Sequence, residues 1–174
     1  MSPVVAQAGS SQELETRLSS HLKTMTKDAS VIRFFESHRW LLTDPRFSAE
    51  ARVRLTTARR RLAETKARAA RTRELLAVKR AAERRQALLS QPPRTAICSV
   101  FGSYCREALA VAHCESRLTT SARNGQYLGL FQMGTSERRL FGHGDTAYEQ
   151  ARAAHRYFVR SGRDWSPWSC KPWR

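Results

Sequence analysis

The sequence predicts a mainly α protein in two parts, a basic helical hairpin followed by a small α+β region with a short β-hairpin. Three observations carry that expectation. Apolar residues recur at helical spacing from Ser10 to Leu89 with a single break. All four cysteines, seven of the eight glycines and three of the four tryptophans fall after residue 95. In that second part Asn124–Gly125 is a tight-turn signal, followed by "QYLGLFQM", which reads as a short strand.

The chain has 174 residues, enough for one compact domain or for a small domain with an extension. It holds 31 Lys and Arg against 15 Asp and Glu, a formal net charge of +16. A surplus of that size points to polyanionic surroundings: nucleic acid, an anionic membrane or an anionic cell wall. No run is long and apolar enough to span a bilayer as a helix. Residues 1–95 carry 20 of the Lys and Arg and 9 of the Asp and Glu, a net of +11, so the surplus is concentrated in the first part. The composition changes at "SQPPRT", where Pro92 and Pro93 interrupt any helix, and residues 91–95 are the expected linker. Residues 1–9 read either as a disordered tail or as a signal-peptide remnant, because "AQA" at Ala6–Ala8 has the small residues that flank a cleavage site.

The hairpin is expected over residues 10–90. Ser10 and Glu13 have the spacing of a capping box, and the first helix runs to Leu42 on a stripe of Leu14, Leu18, Leu22 and Met25, then Val31, Phe34, Phe35, Trp40 and Leu41. Pro45 stops it within the turn Thr43–Ser48, and Ser48 can cap the next helix, about Ala49–Leu89. That helix would reach on the order of 60 Å. Its stripe is thin: Leu55, Leu62, Ala69 and Leu76 recur at sevens, with Ala51, Val53 and Ala58 alongside, and arginines cover much of the rest. Two such stripes pack most simply as a coiled-coil-like hairpin. The arginines form either a solvated face or a surface for anionic wall polymers or membrane. Nucleic acid is the least favoured partner, because no aromatic interleaving, zinc finger or leucine-zipper continuation accompanies them.

In the second part, Cys98, Cys105, Cys114 and Cys170 point to a disulfide frame and an oxidising compartment, with three pairings open. The competing zinc set of Cys98, Cys105, His113 and Cys114 lacks a C-x-x-C pair and the spacing of a zinc module, so neither a metal nor another cofactor is expected. "SYCREALAVAHCE" reads as a helix from Ser103 to about Cys114. Cys105, Ala108, Ala112 and Glu115 share one face, which sets the Glu115 carboxylate at the inward edge. A carboxyl held partly out of water there suits general-acid chemistry. After the turn and strand, "TSERRLFG" is a short helix ended by Gly142. A longer helix follows, with Thr146 and Glu149 as its capping box, Ala147, Ala151, Ala154 and Phe158 as its buried stripe, and Gly162 as its stop. "DWSPWSCKPW" closes the chain.

The run "CES", then "NGQYLGLFQM", then an alanine-rich helix, then "DWSPWSC" resembles the lysozyme-like lytic transglycosylase superfamily, in particular the actinobacterial branch that includes resuscitation-promoting factors. The resemblance covers about residues 96–173 and none of the helical extension. It implies a small lysozyme-like α+β domain, secreted or associated with the cell wall, that cleaves the β-1,4 bond between N-acetylmuramic acid and N-acetylglucosamine in peptidoglycan glycan strands. By motif match Glu115 takes the catalytic position and Gln132 lines the cleft. Gly129 matches the glycine that lets the strand pass close to the carboxylate, and Ser116 completes the E-S pair. Tyr127 and Met133 are candidate subsite residues. The superfamily's A-Y-N element is absent, since "AAHRYF" stands there, which leaves Tyr157 as a candidate counterpart and the transition-state support unassigned. The resemblance also pairs Cys114 with Cys170, leaving Cys98 with Cys105.

One carboxylate suffices for a transglycosylase. Hydrolysis of the same bond by a muramidase would need a helper, for which Asp145 and Asp164 are the candidates. The third reading is a non-catalytic wall- or nucleic-acid-binding protein driven by the basic helices. Because every motif lies beyond the linker, a chain starting near Gln91 is expected to cleave soluble glycan fragments. Its binding to intact anionic walls should be weaker and less salt-sensitive than that of the full chain, as measured by sedimentation with wall material.

Overall fold

The computed structural model describes residues 9–173. The tail read as disordered or as a signal remnant lies, apart from Gly9, outside the described residues. Among those residues are six α-helices: α1 Ser11–Ser37, α2 Ser48–Leu89, α3 Pro93–Phe101, α4 Cys105–Ser116, α5 Thr135–Phe141 and α6 Ala147–Arg160. A single antiparallel pair, β1 Arg123–Asn124 and β2 Tyr127–Leu128, completes a mainly α fold with a short β-hairpin. The chain divides into two compact units, Met1–Ala82 and Glu83–Arg174, with the boundary inside α2. The linker expected at 91–95 is shorter than that, because Pro93 opens α3. A proline at the first helical position gives up no helical hydrogen bond, and its fixed φ suits the turn.

In the first unit Ser10 caps α1 as its spacing predicts: the Glu13 N–H donates to Ser10 Oγ at 3.2 Å and the Ser10 N–H donates to Glu13 Oε2 at 2.7 Å. The residues withdrawn from solvent along α1 include the series Leu14, Leu18, His21, Met25, Asp28, Ile32 and Phe35. Those along α2 include the series Ala51, Leu55, Ala58, Leu62, Thr65, Ala69, Thr72 and Leu76. Both series step alternately by three and four residues, which is the coiled-coil period. Leu22, Phe34 and Val53, expected on the stripes, fall off this seam and are exposed. Ion pairs Glu36–Arg59 and Glu15–Arg80, at 3.8 and 2.6 Å, join the start of one helix to the end of the other, so the two run antiparallel. The connection is a 3₁₀ turn, Arg39–Leu42, followed by Asp44, whose Oδ1 accepts the Arg46 N–H at 2.8 Å. Ser48 begins α2 as a helical residue and does not cap it.

Asp28 is the one acidic residue on the seam, with no solvent exposure at all. Arg61 Nε donates to both of its carboxylate oxygens at 2.9 Å. These hydrogen bonds hold the Asp28 carboxyl below its usual range against the opposing effect of burial, and the charges of Arg61 and Lys27 help.

The second unit packs α3 against α4 and α6. Its core is built from small residues on the helices, among them Ala96, Ala108, Ala112, Ala151 and Ala154. Around them lie Phe101, Phe131, Phe158, Trp165 and Trp168, all buried. Phe101 stacks on Phe131 and Trp165 at 5.4 and 5.7 Å between centroids. On α6 the Thr146/Glu149 capping box, the buried stripe and the end near Gly162 are as the sequence predicts.

The Asp28–Arg61 pair makes the hairpin acid-sensitive. Its contribution is complete above the unfolded carboxylate pKa of about 3.9 and is lost as the pH falls toward the depressed folded value. Asp28→Asn should therefore flatten the acid limb of helix loss followed by circular dichroism. At neutral pH it should destabilise the hairpin by less than the loss of a fully buried pair would, because Arg61 is half exposed.

Candidate functional site

Glu115 sits in the last turn of α4, which stops where Arg117 and Leu118 take left-handed φ values of 55° and 63°. On the same face Ala108 and Ala112 are fully buried, so Glu115 lies half-buried at the edge of the core. Its Oε1 accepts the Cys170 N–H at 3.0 Å. Its other oxygen has no protein hydrogen bond among the described residues. The contact depends on the neighbouring disulfide, Cys114–Cys170, which ties the end of the chain to the end of α4. Cys98–Cys105 joins α3 to α4. The pairing implied by the resemblance is the one observed, and the thiols of the competing zinc set are all in disulfides.

Beside Glu115 lies a cleft of about 430 Å³. The β-hairpin supplies one wall through Ala122, Arg123, Asn124 and Tyr127. Gln132 lies next to it, and Pro167, Trp168 and Ser169 of the closing segment form the other side. Gly125 has φ 58° in the two-residue loop between the paired Asn124 and Tyr127, so the Asn-Gly signal does mark the turn. Glu115 is the only carboxylate among the described residues that line the cleft. Asp145 and Asp164, the candidate helpers of a hydrolase, are not in the lining, and Asp164 accepts the Ser166 N–H instead. Glu107 accepts from Trp165 Nε1 at 2.7 Å.

Of the residues named from sequence, the structure brings Glu115, Tyr127 and Gln132 together at the cleft. The other four candidates, Ser116, Gly129, Met133 and Tyr157, are not in its lining. Ser116 is buried, and its hydroxyl donates to the Leu130 carbonyl at 2.8 Å and to the Ala112 carbonyl at 3.0 Å, so it positions the loop behind the site. Met133 is a core residue. Tyr157 is half-buried between Phe141 and Trp168, at 5.0 and 5.1 Å between centroids. Burial, reinforced by Glu137, pushes its hydroxyl above the usual tyrosine range. Gly129 does make a close approach, but to Gln150 and His143 and not to the carboxylate: a Cβ there would lie 2.6 Å from His143 Cε1 and closer still to Gln150 Oε1.

"QYLGLFQM" is correspondingly not one strand. β2 ends at Leu128, and the chain doubles back so that Leu128 bridges Met133. Positive φ at Gly129 (77°) and Gln132 (44°) turns it. Gln132 Nε2 donates to the carbonyls of Gly129 and Ala122 at 2.9 and 3.2 Å, tying this turn to the hairpin wall.

Gln150 is not singled out by the sequence, whereas the terminal tryptophans, Trp168 among them, are expected to pack over a disulfide or to stack on sugar rings. Gln150 is buried on α6; its Oε1 accepts the Leu130 N–H at 2.9 Å and its Nε2 donates to the Thr120 and Gly144 carbonyls. The available signal was a polar residue within an alanine stripe. Trp168 donates through Nε1 to the Phe131 carbonyl at 3.0 Å while lining the cleft. Burial, with the charge of Arg138, lowers the His143 pKa against the opposing effect of Asp145. Among the described residues no group of three or more His, Cys, Asp or Glu is placed to hold a metal ion. Compared with known proteins, the chain matches no family model, no curated protein and no solved structure.

Two measurements check this construction. Gln150→Leu leaves the Leu130 N–H buried without an acceptor, which costs about 2 kcal/mol; the Leu130 amide should lose its hydrogen-exchange protection while α1 amides keep theirs. Cys114 and Cys170 are 56 positions apart, and in the chain-entropy view a bridge over such a loop stabilises by roughly 4 kcal/mol. Replacing both with Ala should lower the melting temperature of the second unit in calorimetry and leave that of the hairpin unchanged.

Proposed function

We propose that the protein is a peptidoglycan lytic transglycosylase. It acts outside the cell, at the wall, on the β-1,4 bond between N-acetylmuramic acid and N-acetylglucosamine. The observation that carries this reading is a single carboxylate, Glu115, beside a polar cleft with no second carboxylate among the described residues of its lining. Glycoside hydrolysis ordinarily uses two, one as acid and one as base or nucleophile. Transglycosylation needs one, because the nucleophile is a hydroxyl of the substrate.

In this mechanism the protonated Glu115 donates its proton to the glycosidic oxygen as the C1–O bond breaks. The leaving sugar takes the bonding electron pair together with that proton. The resulting carboxylate then removes the proton of the muramic acid C6 hydroxyl, whose oxygen bonds to C1. The product is a 1,6-anhydro ring, no water is consumed, and Glu115 ends protonated as it began. Holding the C6 hydroxyl next to C1 in the same sugar gives the ring closure its advantage.

The surroundings of Glu115 support such a cycle. The Cys170 N–H fixes one carboxylate oxygen and leaves the other to carry the proton. Tyr127 gives the cleft an exposed ring face, and Asn124 gives it an amide. The Gln132 amide nitrogen is taken by backbone carbonyls, whereas its oxygen has no protein partner among the described residues and is available to a sugar hydroxyl.

Mass analysis of wall digests tests the reading. Muropeptides ending in 1,6-anhydro-muramic acid are expected, whereas reducing ends would make the enzyme a hydrolase, and sedimentation with the wall without release would make it a binder. Glu115→Gln should lower the release rate by on the order of a hundredfold or more, with wall binding retained. Release near the unmutated rate would remove Glu115 from the mechanism.

A further inference from the structure

The turn end of the helical hairpin carries an apolar surface that the packing of the first unit does not use. Phe34, Trp40, Phe47 and Val53 are 49%, 55%, 43% and 65% exposed, and none of them lies on the seam between α1 and α2. They are contiguous. Phe34 and Val53 line a groove of about 570 Å³, Phe34 and Phe47 line a second of about 230 Å³, and Trp40 meets Phe47 edge-on at 6.0 Å between centroids. Trp40 lies in the 3₁₀ turn and Phe47 just before α2, so either ring can leave water without disturbing the seam. An exposed apolar patch of this kind marks an interaction site.

The charges around the patch select the partner. Residues 33–60 contain seven arginines, no lysine and three acids. Each acid already has an arginine: Asp44 with Arg46 at 2.8 Å, Glu50 with Arg54 at 2.5 Å and Glu36 with Arg59 at 3.8 Å. Arg33, Arg39, Arg52 and Arg60 are the uncompensated surplus. A second copy of the chain would bring an equal surplus against it and be repelled. Tryptophan and phenylalanine surrounded by arginine match a bilayer surface, where aromatic rings settle at headgroup depth and cations gain from anionic lipid.

We propose that the hairpin tip docks on an anionic lipid bilayer, with Trp40 and Phe47 entering the headgroup region and the surplus arginines held against lipid phosphates. The 174-residue chain should co-sediment with vesicles of equimolar phosphatidylcholine and phosphatidylglycerol and not with phosphatidylcholine alone. Trp40→Ser combined with Phe47→Ser should reduce that partition by about tenfold or more, with helicity retained in circular dichroism. Arg39→Gln with Arg60→Gln, at exposed positions that take no part in packing, should weaken it and reduce its salt sensitivity, and this pair decides the matter if the aromatic variant fails to fold. Equal binding to both vesicle types, an unchanged partition in the variants, concentration-dependent self-association that the aromatic variant abolishes, or sedimentation with purified wall but not with vesicles would each overturn it. Glu115→Gln should bind vesicles as the unmutated chain does, so the outcome is independent of the proposed catalysis.

Discussion

The chain from Gly129 to Gln132 crosses the interior of the second unit outside any helix or strand, so those of its peptide groups without a backbone partner depend on side chains. Leu130 is held at both polar groups: its N–H donates to Gln150 of α6, and its carbonyl accepts from Ser116 of α4. The next carbonyl, that of Phe131, accepts from Trp168 near the end of the chain. Three separate parts of the sequence thus converge on two residues of backbone. Gly129 belongs to the same constraint, because Gln150 reaches Leu130 only if nothing projects from residue 129, and a Cβ there would collide with it.

The cleft follows from that arrangement. Ser116 fixes the loop relative to the final turn of α4, one residue after Glu115. Gln132, at the far end of the loop, ties its own turn to Ala122 and so to the β-hairpin that walls the site. Trp168 brings the closing segment alongside, and the Cys114–Cys170 bridge sets the Cys170 N–H on the Glu115 carboxylate. The side chains that place the proposed acid/base are therefore mostly hidden, and the ones that face the cleft are held by them.

The first unit rests on a different rule, the alternating three- and four-residue step of its seam. On α2 the seam is thin, with Ala51, Ala58, Thr65, Ala69 and Thr72 between the leucines. It also encloses Asp28, which needs Arg61 directly across from it. Such a pair adds little net stability over an apolar pair, but losing Arg61 would strand the buried Asp28 charge. Near the turn the seam is closed by Phe35, Ala51 and Leu55, and the aromatic residues beyond them are left to water.

What the sequence determined alone is what short-range chemistry determines. The capping boxes at Ser10 and Thr146, the alanine face of α6, the turn at Asn124–Gly125 and the helix stop at Gly142 each depend on residues within a few positions, and all are found. Glu115, Tyr127 and Gln132 are candidates through motif likeness, and the structure gathers them at one cleft. Local signals misled where a distant partner outweighed them. "QYLGLFQM" has strand composition, yet it turns back at Gly129 and Gln132 because Gln150, Ser116 and Trp168 hold it there. Pro93 signals a break and in fact starts a helix, since α3 has a core against α4 and α6 to bury. The burial of Asp28 opposite Arg61, and the hydrogen bond from Cys170 to Glu115, join residues 33 and 55 positions apart. Only the tertiary structure could decide those, because a buried polar group is tolerated or excluded according to what packing places opposite it.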